Sequence, residues 1–261
     1  MIARLRSIIL RGRGLLRSLH MYYWPPGSNR RMDGFYGGLI GRDDLCFDIG
    51  AHAGNRTLCF LRLGARVVAL EPQPDFQRLL RFLLTWRPAG DRERVTLLAE
   101  AVGREPGELE LHLSEATPTV TSGSQRFIAD TGAIRSFDIV RWNRSIIVPQ
   151  TTVDGLIERY GMPDFVKIDI EGMEIDALLG LSRLPPLLSF EFLAGRIDGA
   201  LECLERIDRL GRARFNLSQG ESLAMLWPEW RTSADVRSWL ESRRGEDFSG
   251  DIYARRDDDP A

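Results

Sequence analysis

From residue 44 onward, short apolar runs alternate with segments of helical periodicity, and this alternation constrains the fold more than any other feature of the sequence. The predicted strands span 45–49, 66–70, 95–99, 165–169, 187–192, 215–217 and 252–254. The predicted helices span 55–63, 75–86, 153–160, 173–179, 197–210 and 234–240. Strands that alternate with helices are joined by right-handed crossovers, and continuous apolar strands are typical of burial on both faces. We therefore predict an α/β fold, a doubly wound and mostly parallel seven-stranded sheet with helices on both faces.

The two ends of the chain and residues 114–150 depart from this alternation. Residues 1–40 are predicted as a basic helical segment, in which arginines precede the first acid, Asp33. Such a segment either makes peripheral contact with an anionic membrane or packs on its own domain. Residues 41–256 form the predicted α/β domain, with an insertion at 114–150 that is either a lid or a peripheral hairpin. Residues 257–261 are predicted as a disordered acidic tail.

Composition excludes several classes of protein. The net charge of −2 argues against nucleic-acid binding through a basic surface. The three cysteines are scattered, which argues against a disulfide scaffold and favours a cytoplasmic location. No apolar run reaches the length that spans a bilayer.

The turn after the first predicted strand distinguishes between nucleotide cofactors. A dinucleotide site needs G-x-G-x-x-G, but here Gly50 and Gly54 are four positions apart, and Asp48 would repel a pyrophosphate. Asp48 suits a cationic ligand instead, such as the sulfonium and ammonium of S-adenosylmethionine. Glu71, at the end of the second predicted strand, can accept hydrogen bonds from the ribose hydroxyls of either cofactor. The turn therefore favours S-adenosylmethionine over a nicotinamide dinucleotide, and a tight turn without a ligand is the remaining alternative.

The order of the motifs resembles that of the FkbM family of S-adenosylmethionine-dependent methyltransferases. The resemblance covers about residues 45–192 and rests on FDIGAHAGN (47–55), ALEPQP (69–74), AVG (101–103), TTVD (151–154) and VKIDIEGME (166–174). The last block is the most specific of these, because glycine-rich turns alone are weak signals. The resemblance implies a class I, Rossmann-like methyltransferase with S-adenosylmethionine as its cofactor. Such enzymes usually methylate a hydroxyl group of a sugar or a natural product.

The resemblance also assigns residues to the cofactor. It implies that the methionine part is lined by Asp48, Gly50, His52 and Gly54. Glu71 would hold the ribose, and Glu100 with Ala101 would flank the adenine. The same motifs add Ala51, Asn55 and Pro72 to the predicted cofactor contacts.

Methyl transfer to an alcohol needs an aligned nucleophile and a group that takes its proton, so acids at strand ends are the candidate catalytic residues. Asp169 ends the fourth predicted strand and is the first candidate, as a base or as a contact to acceptor and cofactor. Glu171 follows in the turn, and Glu191 is a lone acid in an apolar strand that either faces the acceptor or pairs with an arginine. Lys167, the single lysine of the chain, either orients one of these acids or reaches the surface. The carboxylates of Asp169, Glu171 and Glu191 could hold Mg²⁺, but no metal is included in the prediction.

The predicted function is O-methylation of a hydroxyl group on a small saccharide or natural product. The alternatives are an N-methyltransferase, a non-catalytic module that binds the adenosyl cofactor, and a nicotinamide oxidoreductase. The acceptor pocket is expected to involve the 114–150 insertion, residues 22–24 and residues 227–230, whose aromatics could equally fill a small core. The acceptor, the metal dependence and the oligomeric state are not predictable from the residues.

Overall fold

The computed structural model describes residues 27–114, 121–131 and 140–257. The helices are α1 (Ser28–Tyr36), α2 (Asn55–Arg62), α3 (Pro74–Thr85), α4 (Ala89–Glu93), α5 (Gln125–Thr131), α6 (Val153–Tyr160), α7 (Glu174–Leu179), α8 (Ile197–Leu210) and α9 (Ser233–Glu241). The strands are β1 (Leu45–Ile49), β2 (Arg66–Leu70), β3 (Val95–Leu98), β4 (Ala101–Val102), β5 (Gly107–Leu113), β6 (Thr121–Ser122), β7 (Arg144–Thr151), β8 (Phe165–Ile168), β9 (Leu187–Leu193), β10 (Ala213–Gln219) and β11 (Ser249–Arg256).

The main sheet has seven strands in the order β10-β11-β9-β8-β1-β2-β3. The pairs β1–β2, β1–β8, β2–β3 and β8–β9 are parallel, whereas β11 is antiparallel to both of its neighbours. The sheet is therefore mixed, which refines the prediction of a mostly parallel sheet. The cause is the return of the chain after β10. Leu226 donates its backbone N–H to Leu217, and Arg231 bridges Phe215, so the chain runs back along β10 before α9. It then starts β11 beside the carboxyl end of β9, where Ser249 pairs with Leu193.

Alternate residues of the central strands enter two separate apolar clusters, one on each face of the sheet. Phe47 in β1 and Val68 in β2 pack into the cluster that contains residues of α6, α7, α8 and α9. Cys46 and Val67, one position earlier, pack into the cluster that contains residues of α1, α2 and α3. Because successive side chains of a strand point to opposite faces, this pattern explains why β1 and β8 are buried along their whole length.

A second sheet of four strands, in the order β4-β7-β5-β6, lies outside the predicted elements. Its main pairing is antiparallel, from Gly107–Gln150 to Leu113–Arg144. Thus β5 precedes the predicted insertion at 114–150, and β7 occupies its carboxyl-terminal part. A small apolar cluster of Ala101, Leu111 and Val148 holds β4, β5 and β7 together.

Some predictions fall on residues that are not described. They are the basic helix within residues 1–26, the aromatic residues at 22–24, most of the acidic tail, and residues 115–120 and 132–139 of the insertion. Among the described helices, none combines the length and the apolar character that crossing a membrane requires.

Candidate functional site

The turn after β1 is pinned by hydrogen bonds to both neighbouring strands. Gly50 and Ala51 donate their backbone N–H groups to the carbonyl of Leu70, and Asp169 donates its own to the carbonyl of Ile49. Gly50 has φ of 87°, and a Cβ there would lie 1.8 Å from the carbonyl oxygen of Asp169. Glycine is therefore required at position 50 because the ends of β1 and β8 approach closely.

A cleft of about 720 Å³ opens at the carboxyl ends of β1, β2 and β8, and we call it the main cleft. It is lined by Ile49, Gly50, His52, Leu70, Glu71, Pro72, Phe76, Glu100, Ala101, Val102, Leu109, Leu111, Thr121, Asp169, Ile170, Glu171 and Met173. Its walls are mostly apolar, with a few polar groups that converge on the interior. A lining of this kind is typical of a site for a small-molecule cofactor.

Glu71 is a buried carboxylate in the wall of the main cleft. Its two oxygens accept backbone N–H groups from His52 and Gln73 at 2.8 and 2.7 Å. Burial raises the pKa of Glu71 to about 7, against the two backbone hydrogen bonds that lower it. Since each carboxylate oxygen can accept more than one hydrogen bond, Glu71 retains acceptor capacity for the hydroxyls of a ribose.

His52 belongs to the cleft wall. The backbone φ of His52 is 49°, an uncommon value for a non-glycine residue. The centroid of its ring lies 3.8 Å from the centroid of the Phe76 ring. Burial lowers the pKa of His52 to about 4, so that its ring is neutral at physiological pH. Glu100 also lines the main cleft, and its carboxylate receives two hydrogen bonds from Arg159 at 3.0 and 2.9 Å.

Three acidic side chains meet at the carboxyl ends of β8 and β9. Asp169, Glu171 and Glu191 each have a carboxylate oxygen within 4.8 Å of the others, and we call them the carboxylate trio. Burial raises the pKa of Glu171 and of Glu191, and the negative charge of Asp169 raises both further. Glu171 has φ of 51°, in the same sparsely populated region as His52. The trio has the oxygen ligands that Mg²⁺ uses, but an acidic cluster alone does not identify a metal site.

Lys167 is buried beneath the trio, with 2% of its side chain exposed. Its ammonium lies 2.8 Å from Asp169 and 3.4 Å from Asp251 on β11. Burial lowers the pKa of Lys167, but the two carboxylates outweigh this effect and hold it well above its ordinary value. For Asp169, burial raises the pKa and Lys167 lowers it, with a net shift below the ordinary value. Lys167 is therefore a buried cation paired with Asp169, and its ammonium does not reach the surface.

A second cavity of about 980 Å³, which we call the side cavity, lies on the other side of the trio. It is lined by Arg104, Ser124, Phe127, Gly172, Glu174, Ile175, Asp176, Leu179, Glu191, Phe192, Leu193, Arg196, Gly199, Ala200, Glu202 and Cys203. Glu191 faces this cavity while Asp169 and Glu171 face the main cleft. The trio thus stands between the two spaces. Glu174 accepts backbone N–H groups of Ile170 and Gly172, as expected for a structural acid at a helix start.

A third, smaller space of about 310 Å³ continues from the main cleft around Gly50, and we call it the loop cavity. It is lined by Asp48, Gly50, Ala51, His52, Asn55, Arg56, Lys167, Asp169 and Glu221. Asp48 is buried and accepts a hydrogen bond from the hydroxyl of Thr57. Burial raises the pKa of Asp48, against the hydrogen bond from Thr57.

The structure brings almost all of the predicted site residues to these three spaces. Gly54 differs, because it is the N-cap residue of α2 at φ of 81° and does not line any of the three spaces. Sequence reasoning missed Arg56, Glu221 and Asp251, since no local pattern marks their long-range partners. It also missed Leu109 and Leu111, although the alternation of apolar and polar residues in GELELHL is a strand signal.

The aromatic residues at 227–230 do not line the main cleft, the side cavity or the loop cavity. Trp227 packs against the larger core cluster, and Arg255 lies 4.4 Å above the ring of Trp230. The alternative that these aromatics fill a core agrees with the structure.

Comparison with known proteins adds a curated relative and several solved structures. The hexuronic acid methyltransferase AglP of Haloferax volcanii is 24% identical over 177 residues, which are 67% of this chain and 64% of that protein. The chain thus spans less than two thirds of the length of this relative.

Solved structures show low identity. An O-methyltransferase from Bacillus cereus in complex with SAH is 14% identical, with 96% of this chain and 90% of that chain covered and a TM-score of 0.45. Precorrin-6y C5,15-methyltransferase from Geobacter metallireducens is 13% identical, with 87% and 86% covered and a TM-score of 0.46.

The family model described as the methyltransferase FkbM domain matches residues 48–244, most of the chain. This match includes the turn after β1, Glu71, the carboxylate trio and Glu221. The chain therefore belongs to the FkbM family of methyltransferases, which use S-adenosylmethionine as their cofactor.

Proposed function

We propose that this chain is an S-adenosylmethionine-dependent O-methyltransferase that acts on a hydroxyl group of a saccharide or a natural product. The observation that carries the proposal is the carboxylate trio, which stands between the main cleft and the side cavity. A methyltransferase needs such a boundary, because methyl donor and acceptor must meet in line with a proton acceptor beside them.

The residues of the main cleft fit the adenosyl part of the cofactor. Glu71 offers carboxylate oxygens to the ribose hydroxyls, and Pro72, Glu100 and Ala101 line the same wall. The apolar side chains of Ile49, Leu70 and Leu111 provide flat contacts for the adenine ring. The loop cavity suits the amino-acid end, since Asp48 lies there with Gly50, Ala51 and Asn55. When bound, S-adenosylmethionine supplies a methyl group that is already activated by its sulfonium.

The carboxylate trio accepts the proton of the acceptor hydroxyl and positions the acceptor. A hydroxyl oxygen that forms a bond to carbon becomes strongly acidic, so a carboxylate beside it can take the proton even when its pKa is low. Asp169 suits this role because Lys167 keeps it ionised. Glu171 and Glu191 hydrogen-bond the acceptor hydroxyls, Glu191 from the side cavity. Lys167 contributes as a positioning residue through Asp169.

The acceptor class is inferred from the lining of the side cavity and from one relative. The side cavity carries acids and the arginines Arg104 and Arg196, polar groups that suit a hydroxylated molecule better than an apolar one. AglP, the relative at 24% identity, methylates a hexuronic acid, which favours a saccharide. The partner is therefore a small hydroxylated molecule.

Two measurements test the proposal in sequence. Titration calorimetry with S-adenosylmethionine, S-adenosylhomocysteine and NAD⁺ should show binding of the two adenosyl ligands alone. Transfer of a labelled methyl group is then measured on a panel of saccharides, hydroxylated natural products and amines. Transfer to hydroxyls supports the proposal, transfer to amines alone supports the N-methyltransferase alternative, and binding of NAD⁺ in place of the adenosyl ligands overturns the proposal.

The role of the trio is tested by substitution. Asp169→Asn should reduce kcat by about 10²-fold or more, which is the usual contribution of a proton acceptor, while the affinity for S-adenosylhomocysteine changes little. Glu205→Gln is the control, because Glu205 pairs with Arg209 on the exposed surface of α8. An Asp169→Asn variant with unchanged kcat would exclude Asp169 as the proton acceptor.

A further inference from the structure

Arg56 is a buried cation in the loop cavity, and its anionic partner is on the surface. Arg56 lies in the first turn of α2, and 8% of its side chain is exposed. Its Nη2 donates to both carboxylate oxygens of Glu221, at 3.0 and 2.9 Å. The side chain of Glu221 is 62% exposed and belongs to the turn that follows β10. A buried guanidinium needs an anion, but an anion in water holds it weakly.

The guanidinium of Arg56 is also incompletely used. Its Nε is buried and has no hydrogen-bond partner among the described residues. Arg62, six residues later on the same helix, shows the complete arrangement, because both its Nε and its Nη2 donate to the carboxylate of Asp33. Arginine prefers such a fork for carboxylates. Arg56 therefore retains the capacity to bind a carboxylate by two atoms.

The position of Arg56 identifies the carboxylate. The loop cavity shares Gly50, His52 and Asp169 with the main cleft, so a ligand whose ribose lies at Glu71 reaches Arg56 with its opposite end. The other cation of the loop cavity, Lys167, already lies between two carboxylates, Asp169 and Asp251, whose side chains are 35% and 10% exposed, against 62% for Glu221. Among the described lining residues, Arg56 is thus the cation whose partner can be exchanged at low cost.

We infer that Arg56 binds the α-carboxylate at the methionine end of S-adenosylmethionine, and that Glu221 occupies this guanidinium until the cofactor displaces it. This inference rests on the proposed function. In the ligand-free protein, Glu221 stands in for the cofactor carboxylate and closes the loop cavity. Binding exchanges a surface carboxylate for that of the ligand, and the turn after β10 is released.

Decarboxylated S-adenosylmethionine separates this contact from the rest of the site, since it lacks the α-carboxylate alone. Calorimetry is performed with S-adenosylmethionine and with the decarboxylated compound on the full chain. Arg56→Gln should weaken binding of S-adenosylmethionine by about 10- to 100-fold, the range for a charged hydrogen-bonded pair, and change binding of the decarboxylated compound less than threefold. Glu221→Gln should tighten S-adenosylmethionine several-fold, because it removes the competing anion, and leave the decarboxylated compound unchanged.

Arg62→Gln is the matched control, because it breaks an arginine–aspartate pair on the same helix outside the three spaces. It should leave both affinities unchanged. Glu221 is exposed, so Glu221→Gln keeps the test decisive if Arg56→Gln fails to fold. Equal effects of Arg56→Gln on both ligands, or no effect of Glu221→Gln on S-adenosylmethionine, would overturn the inference alone. Failure of the wild-type chain to bind either ligand would overturn the proposed function with it.

Discussion

Lys167 shows how a single buried charge supports the site. It lies between Asp169, which faces the main cleft, and Asp251, which belongs to β11, the last strand along the chain. Its stem passes through the core, and its ammonium is a compact charge that serves two carboxylates. An arginine would present a larger planar group with a fork of donors instead of a compact charge. The single lysine of an arginine-rich chain therefore stands where its shape is used.

Removal of this ammonium should be costly. Lys167→Met leaves two carboxylates without their cation, and we expect a loss of about 3–5 kcal/mol in the free energy of unfolding. Urea denaturation measures this loss. The double variant Lys167→Met, Asp251→Asn should lose less than the single variant, because one of the stranded charges is gone. Arg244→Met, which breaks an exposed pair with Asp198, should cost far less than Lys167→Met, because water screens that pair. A similar cost for both single variants would contradict this account of Lys167.

Glu71 predicts a pH dependence of cofactor binding. Burial raises its pKa to about 7, so the folded protein holds the proton up to that pH, whereas the ordinary value is 4.5. The ionised carboxylate is the better acceptor for ribose hydroxyls, so the affinity for S-adenosylhomocysteine should fall as the pH drops below 7, by up to about tenfold per unit. Calorimetry between pH 5.5 and pH 8.5 measures this slope, over a range chosen to bracket the pKa of about 7.

Glu71→Gln is the control for this pH dependence. Glu174 also has a pKa of about 7, raised chiefly by burial, and would titrate in the same range. In Glu71→Gln the slope that belongs to Glu71 should disappear, and the affinity should be low at every pH. A slope that survives the substitution would assign the titration to Glu174 or to another group.

At the residue scale, the sequence allows prediction of the acids at strand ends but not of their partners. Asp48, Glu71 and Asp169 follow from short apolar runs and the turns behind them. The partners Asp251 and Glu221 come from β11 and the turn after β10. Their distance along the chain from Lys167 and Arg56 leaves no periodic signal. Long-range ion pairs depend on the register of strands that local patterns do not specify.

At the scale of secondary-structure elements, two turns, one after β1 and one after β8, carry residues that line the main cleft. Each contains a glycine at positive φ and a non-glycine residue near φ of 50°, Gly50 with His52 and Gly172 with Glu171. A Cβ at Gly172 would lie 2.2 Å from the ring of Phe127, which belongs to α5. The turn after β8 is therefore constrained in two ways: its backbone has the positive φ that favours glycine, and the ring of Phe127 in α5 packs against it.

Gly172→Ala tests this arrangement. The left-handed backbone costs about 1–2 kcal/mol for a residue with a Cβ, and the contact with Phe127 adds to it, so a loss of about 2 kcal/mol or more is expected in urea denaturation. Gly199→Ala is the control, because Gly199 lies in α8 with open space around it. That substitution should leave stability unchanged or raise it by up to about 1 kcal/mol. Equal behaviour of the two variants would show that the turn after β8 is not constrained in this way.

The main sheet was predictable because its central strands β1, β2, β8 and β9 are mostly apolar runs followed by polar turns, and most observed boundaries lie within a few residues of the predicted ones. The direction of β11 was not, because it depends on where the chain travels after β10. The second sheet escaped prediction for a different reason. Its strands β4 and β6 have two residues each, and β7 contains Pro149, so only β5 carries a clear alternation.

At the scale of the whole molecule, the site lies where the order of the sheet reverses. From β1 the chain builds outward through β2 and β3, and later through β8 and β9 on the other side. Crevices at such a point are where doubly wound sheets bind ligands. The second sheet adds Leu109, Leu111 and Thr121 to the wall, so the main cleft joins both sheets. A bound cofactor would therefore stabilise the molecule as a unit.

Because the main cleft joins both sheets, we expect cofactor binding to raise the Tm of the whole chain. A ligand that binds only the folded chain adds about 2.7 kcal/mol at a concentration 100 times its Kd. For a domain of this size, 1 kcal/mol corresponds to roughly 2–4 °C in Tm, so S-adenosylhomocysteine should raise Tm by about 5–10 °C. NAD⁺ at the same concentration should not change it, because the turn after β1 lacks the glycine pattern of a dinucleotide site. In Glu71→Gln the shift should fall sharply, because the cleft loses its ribose acceptor. A shift with NAD⁺ in place of S-adenosylhomocysteine would overturn the proposed cofactor, and an equal shift in the variant would place the adenosyl ligand away from Glu71.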